Sequence, residues 1–181
     1  MFTRKEVLER KTGEDGIGRY DFLKQLINEF ATTKSFLESK KQTLANLSNF
    51  AYDPINFVFF KQLHILDLFL AQLSENSEDL INFSLAGLCN LASDPENKEY
   101  IISLNGVYLI SQYLSHQNIE IKLNSLTTLY YILETQPHLV TQDILNESES
   151  FKSSDDPRLS NLGTVFLEKY KHEVSYSSQG V

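Results

Sequence analysis

The side chains able to do chemistry are sparse in this chain, and their spacing assembles no reactive group. His64, His116, His138 and His172 are scattered singly, with no Ser/Asp or carboxylate constellation beside them. Cys89 is the one cysteine, so it can form no intramolecular disulfide, and no Cys/His cluster has zinc-ligand spacing. There is no glycine-rich phosphate loop and no paired-carboxylate motif. Catalysis, a cofactor, a metal and a small-molecule substrate are therefore not expected. What recurs is an amide: Asn49 and Asn90 lie 41 residues apart. A carboxamide donates and accepts at once, so it can bond the backbone of an extended peptide whatever that peptide's sequence. It can equally tie together helices of its own fold, and the sequence leaves both roles open.

The two asparagines sit inside a repeated phrase, NLSNFAYDPIN from Asn46 to Asn56 and GLCNLASDPEN from Gly87 to Asn97. Leu47/Leu88, Ala51/Ala92, Asp53/Asp94, Pro54/Pro95 and Asn56/Asn97 match at the same offset of 41. A third copy keeps only the apolar skeleton Leu126, Leu129, Ile132 and Leu133, with Tyr131 where the asparagine stood. A period near 40 with helical spacing inside it is the mark of an α-solenoid.

The elements that must hold these residues follow from apolar spacing. Phe22, Leu23, Leu26, Ile27 and Phe30 form one helical face, and a longer helix carries Leu37, Leu44, Leu47, Phe50 and Ala51 inward. Asp53-Pro54 and Asp94-Pro95 each end one helix and open the next, because Asp caps well and Pro is tolerated in a first turn. A short helix with Phe57, Phe60 and Leu63, a middle one from Ile65 to Leu73 and a long one from Leu80 to Leu91 complete a unit. The next unit repeats this plan: Tyr100, Ile101 and Leu104, then Val107 to Leu114, then Ile121 to Leu133.

The expected organisation is a flexible lead-in over residues 1–18, a repeat array over 19–145, a polar loop over 146–157, a closing helix over 158–170 and a flexible tail over 171–181. The polar run NESESFKSSDDP is the reason for the loop.

The run from Asn97 to Ile110, N-x-x-x-I-x-x-x-G-V-x-x-L-I, together with AGLCNLA from Ala86 to Ala92, resembles the armadillo repeat. FAYDP (Phe50 to Pro54), LHILDLFL (Leu63 to Leu70) and GLCNLA narrow the likeness to the armadillo repeat-containing protein seven family. The fold this implies is all-α, a short right-handed α-solenoid of about three armadillo units closed by a C-terminal helix. The resemblance also implies a partner, an RRM-type RNA-binding protein, and a place in the minor spliceosome, where contact with RNA is mainly indirect. Nuclear residence follows from it, with the cytoplasm as a second compartment. The alternative is a generic armadillo adaptor that carries basic cargo or anchors a signalling complex, unrelated to splicing.

In the armadillo pattern Asn49 and Asn90 face the concave groove. Aromatic residues add a second set of candidates for protein binding. Phe57, Phe59 and Phe60 occupy more than one side of a short helix, Tyr52 precedes it, and Tyr130 and Tyr131 are about 100° apart on theirs. These residues cannot all face one core, and exposed aromatics on a rigid scaffold suit a protein interface.

The gross composition fits a soluble protein of a reducing compartment. The N-terminus MFTRKEVLER lacks a signal-peptide core, and no apolar run has membrane-spanning length, so no membrane partner is expected. The net charge is −8, and from Tyr52 to Thr135 ten acids face three lysines. Phosphate-backbone affinity comes from cations. The isolated protein is therefore expected to show no sub-micromolar binding to a short RNA at physiological salt. A gel-shift titration checks this, and a sub-micromolar complex would overturn it.

Overall fold

Asp53 and Asp94 punctuate the chain as their spacing predicts. Asp53 accepts a hydrogen bond from the Ile55 N–H, opening a 3₁₀ turn over Pro54–Asn56, and Asp94 accepts one from the Asn97 N–H at the head of a helix. The computed structural model describes residues 2–4, 6–7, 16–33 and 37–173, all of them in helices, turns and connections. Their contacts divide the chain into two units, residues 1–91 and 92–181.

The first unit holds α1 (Arg19–Thr32), α2 (Leu37–Phe50), the Pro54–Asn56 turn, α3 (Phe57–Gln62), α4 (Ile65–Gln72) and α5 (Glu78–Leu91). Its core is the predicted leucine stripe: Leu44, Leu47, Ala51, Ile65, Phe69, Leu85, Leu88 and Leu91 are fully buried. α2 lies along α5, and α4 packs on α5. Gly87 makes that second contact possible, because a Cβ there would sit 2.5 Å from the Phe69 ring.

The second unit holds α6 (Pro95–Ser103), α7 (Gly106–Ser111), α8 (Ile119–Ile132), a 3₁₀ turn over Pro137–Leu139, α9 (Gln142–Phe151) and α10 (Pro157–Tyr170). Ile101, Ile110, Ile121, Leu126, Leu129, Ile132, Leu133 and Phe166 are fully buried there. α10 packs on both α8 and α9, so the last two helices share a core with the repeat before them. The boundary expected at residue 145 falls inside α9.

The polar loop expected over 146–157 is also corrected. Residues 146–151 belong to α9, whose N-cap Thr141 accepts from the Ile144 N–H. Ile144, Leu145, Ser148 and Phe151 are buried on one face. Ser148 can be buried because its hydroxyl donates to the Ile144 carbonyl at 2.7 Å and because Gly163 of α10 brings no side chain against it. Only residues 152–156 connect α9 to α10.

The N-terminal segment is partly docked rather than wholly loose. The Thr3 N–H donates to the Asp53 carboxylate at 3.0 Å, and the Phe2 ring lies 5.7 Å from Tyr52. The rest of the predicted lead-in up to residue 15, apart from residues 4, 6 and 7, and the tail beyond residue 173 lie outside the described residues. Four predicted core positions face solvent instead: Phe22, Leu37, Tyr100 and Leu104. Among the described residues no single helix is long and apolar enough to cross a membrane.

The structure adds two periodic features. Thr43, Ser84 and Ser125 recur at the offset of 41 and are all buried, small residues on the inner faces of α2, α5 and α8. His64 and Asn105, again 41 apart, both adopt the left-handed conformation, with φ of 53° and 60°, just before the middle helix of their repeats. A left-handed L-residue costs about 1–2 kcal/mol, and a β-branched side chain tolerates it worst. His64→Val and Asn105→Val are each expected to lower stability by about 1–2 kcal/mol, and His64→Gly to leave it equal or slightly higher. Urea unfolding midpoints provide the check; unchanged midpoints in both valine variants would contradict the strain.

Candidate functional site

The repeated asparagines come to one neighbourhood through the pairing of α2 and α5, but they do not behave alike. Asn90 is half-buried, and its Nδ2 donates to the Ser48 carbonyl at 3.2 Å, tying α5 to α2. Asn49, next to Ser48 in sequence, is exposed, and among the described residues no hydrogen bond engages its side chain. The repeat explains the asymmetry. Counting back 41 residues from α4 reaches α1, so α2 is the first of the long third helices. Among the described residues no earlier copy stands beside it to receive the Asn49 amide.

Tyr52, one turn beyond Asn49, is 62% exposed, with the Phe2 ring on it. The adjoining Asp53 is driven up by burial but held below the usual carboxylate range by the Thr3 and Ile55 N–H groups and by Arg19. Arg19 in turn lies over the Phe50 ring at 4.7 Å. Phe57 and Phe59 are half-buried, and Phe59 meets Tyr20 edge-on, so on α3 the exposed apolar residue is Val58. Asn49 and Tyr52 are therefore open, whereas the two phenylalanines contribute mainly to packing.

Tyr131 belongs to the second unit. It is 38% exposed, while its neighbour Tyr130 is covered by Phe166 and Tyr170. The Tyr170 hydroxyl donates to the Tyr130 carbonyl at 2.7 Å, and the Lys169 ammonium sits 4.2 Å from the Tyr130 ring centre. Of the adjacent tyrosines, one is thus structural and the other open. Among the described residues no group of histidine, cysteine and carboxylate side chains is arranged to hold a metal.

No protein-family model matches the chain. Over 158 residues it is 42% identical to mouse (Mus musculus) armadillo repeat-containing protein 7, covering 85% of this chain and 79% of that protein. The chain belongs to the armadillo repeat-containing protein 7 family. Solved structures agree on the architecture. An engineered protein superposes with a TM-score of 0.71 at 17% identity, covering 86% of this chain and 68% of its own. A designed armadillo repeat protein in complex with the peptide (KR)4 gives 0.64 at 13%, over 84% and 70%. A computationally designed armadillo protein for modular peptide recognition gives 0.63 at 15%, over 83% and 69%. The fold class is an α-solenoid of armadillo repeats.

Within this family framework, sequence reasoning missed the charged links that brace the second unit. Lys98, a buried α6 residue, donates to Glu134 at 2.6 Å, and Lys169 of α10 donates to the same carboxylate at 3.2 Å. The signal was hidden because the partners are 36 and 35 residues apart. These two ammonium groups hold the Glu134 carboxyl below its ordinary value. A depressed carboxyl contributes stability above its unfolded pKa and loses it as pH falls through the folded one. Glu134→Ala is expected to cost about 1–2 kcal/mol at pH 7, a figure discounted because Glu134 faces solvent while Lys98 is left buried. The gap between variant and parent closes in acid, below the ordinary glutamate range. Thermal melts at pH 7 and pH 3 test this, and a gap that persists at pH 3 would refute the charge argument.

Proposed function

We propose that this armadillo solenoid is a non-enzymatic protein-interaction scaffold, and that its partner is an RRM-type RNA-binding protein held within the minor spliceosome in the nucleus. The observation that carries the scaffold reading is the open patch at the end of α2: exposed Asn49 on a helix tied to α5 by the Asn90–Ser48 bond, and exposed Tyr52 in the turn that follows. An exposed carboxamide on a rigid support can bond a partner's backbone without reordering its own helix. The acid excess of the repeats suits a partner that itself carries the RNA-binding charge. The splicing role draws on the family resemblance.

A second reading has its own observation. A designed armadillo neighbour binds (KR)4, and ten acids against three lysines over Tyr52–Thr135 would suit basic cargo of another kind. Purification of the tagged chain from nuclear extract separates the two. An RRM protein and minor-class small nuclear RNA support the first, and transport factors or signalling proteins support the second.

Asn49→Ala is expected to weaken capture of the RRM-type partner by roughly tenfold, about 1.4 kcal/mol, with no change in the melting temperature. Asn90→Ala is expected to lower the melting temperature, because it removes a tie between α5 and α2. Partner affinity unchanged by Asn49→Ala would move the interface away from this patch.

A further inference from the structure

The second unit contains a cleft of about 390 Å³ that no part of the scaffold reading uses. Val107 and Tyr108 of α7 line it, together with Leu114 and Leu139 and the carboxylates Asp143 and Glu147 of α9. Uncharged polar side chains, Asn105, Ser111, Gln112, Ser115 and Thr141, complete the walls, and the two acids are the charged groups among them. No lysine, arginine or histidine contributes to the lining.

These two acids differ from four other carboxylates of the unit. Glu120, Glu134, Glu149 and Asp156 of the same unit each pair with a lysine or arginine. Among the described residues no ion pair engages Asp143 or Glu147. Asp143 is in the first turn of α9, where helix N–H groups favour a negative charge. Glu147 lies a turn farther along, beyond most of that influence, and is half-buried. Residues four apart on a helix project side by side, roughly 5–6 Å between Cβ atoms. The pair therefore presents two acceptors to one cation.

The remaining wall selects among cations. Tyr108 is 58% exposed, so its ring face is open to a ligand. A guanidinium is planar, stacks on aromatic faces and bonds carboxylates through a fork of N–H groups, whereas an ammonium is a strongly hydrated point charge. Aliphatic neighbours such as Val107 and Leu139 suit the methylene stem and flanking apolar side chains of a peptide. We propose that this cleft docks an arginine-bearing segment of a partner protein, with the guanidinium between Asp143, Glu147 and the Tyr108 ring. It rests on different residues from the Asn49 patch and stands or falls separately from it.

The test is fluorescence anisotropy of the full chain with a short fluorescein-labelled peptide carrying arginine between leucines. A citrulline peptide of the same shape but no charge is the control. The arginine peptide is expected to bind saturably, and the citrulline peptide about tenfold or more weakly. Asp143→Asn/Glu147→Gln is expected to weaken the arginine peptide by about tenfold, and Glu147→Gln alone or Tyr108→Leu by several-fold. Should loss of Asp143 unsettle α9, the latter two variants keep the test decisive. Glu29→Gln/Glu75→Gln removes the same charge from exposed positions of the first unit, and Asn49→Ala removes the other patch; both are expected to change affinity less than about twofold. The proposal is overturned if the arginine peptide does not bind at millimolar protein, if citrulline binds equally well, or if the Glu29/Glu75 pair weakens binding as much as the cleft pair.

Discussion

The contact on which the first unit depends is the Phe69 ring lying against Gly87. A ring buried where a Cβ would otherwise stand lets α4 approach α5 at backbone distance, and both helices then bury their leucines against each other. α3 and α4 are six and eight residues long, too short to persist alone in water, so tertiary burial is what makes them helices. The offset of 41 places Ile110 and Thr128 at the corresponding positions of the second unit, both buried. A smaller aliphatic residue goes with a larger partner, the volume trade that packed cores tolerate best.

The polar residues inside the repeats serve that same closeness. Ser84 and Ser125 are fully buried, and among the described residues their hydroxyls have no hydrogen-bond partner, a cost of about 1–3 kcal/mol for each unsatisfied group. Their small size is what the inner faces of α5 and α8 require. Asn56 is satisfied on one side: its Nδ2 donates to the Phe50 carbonyl at 2.8 Å and closes the turn after α2, while among the described residues its buried Oδ1 has no partner. The Asp-Pro dipeptides and the asparagines two residues later therefore work as one structural punctuation mark. Asn49 near the end of α2 and Tyr52 in the turn after it take no part in this punctuation and stay exposed.

The candidate site was legible in kind and only partly in detail. Recurrence at 41 residues marked Asn49 and Asn90 together, because an equal offset gives equal phase on equivalent helices. It could not separate them, since the difference lies in whether a neighbouring helix offers a carbonyl, as Ser48 does for Asn90. Tyr130 and Tyr131 divide for a similar reason: α10 supplies Phe166 and Tyr170 to cover the first and leaves the second open. The cleft between Tyr108 and Glu147 was invisible for the same cause, its walls being contributed by segments about forty residues apart.

The sequence by itself determined the helical class, the repeat, the Asp-Pro breaks and the buried leucine and isoleucine stripes. Each of these rests on local spacing or on a side chain's reach to its own backbone, as with Asp94 and the Asn97 N–H. Tertiary structure alone decided that NESESF is helical, that Leu37, Tyr100 and Leu104 face solvent, and that Lys98 is buried beside Glu134. In each case the deciding partner comes from a distant part of the chain. Burial of a serine on α9 needs a glycine on α10, and burial of a lysine needs a carboxylate 36 residues away. Local periodicity carries no record of such partners, because it registers which side of a helix is apolar and not what arrives to cover it.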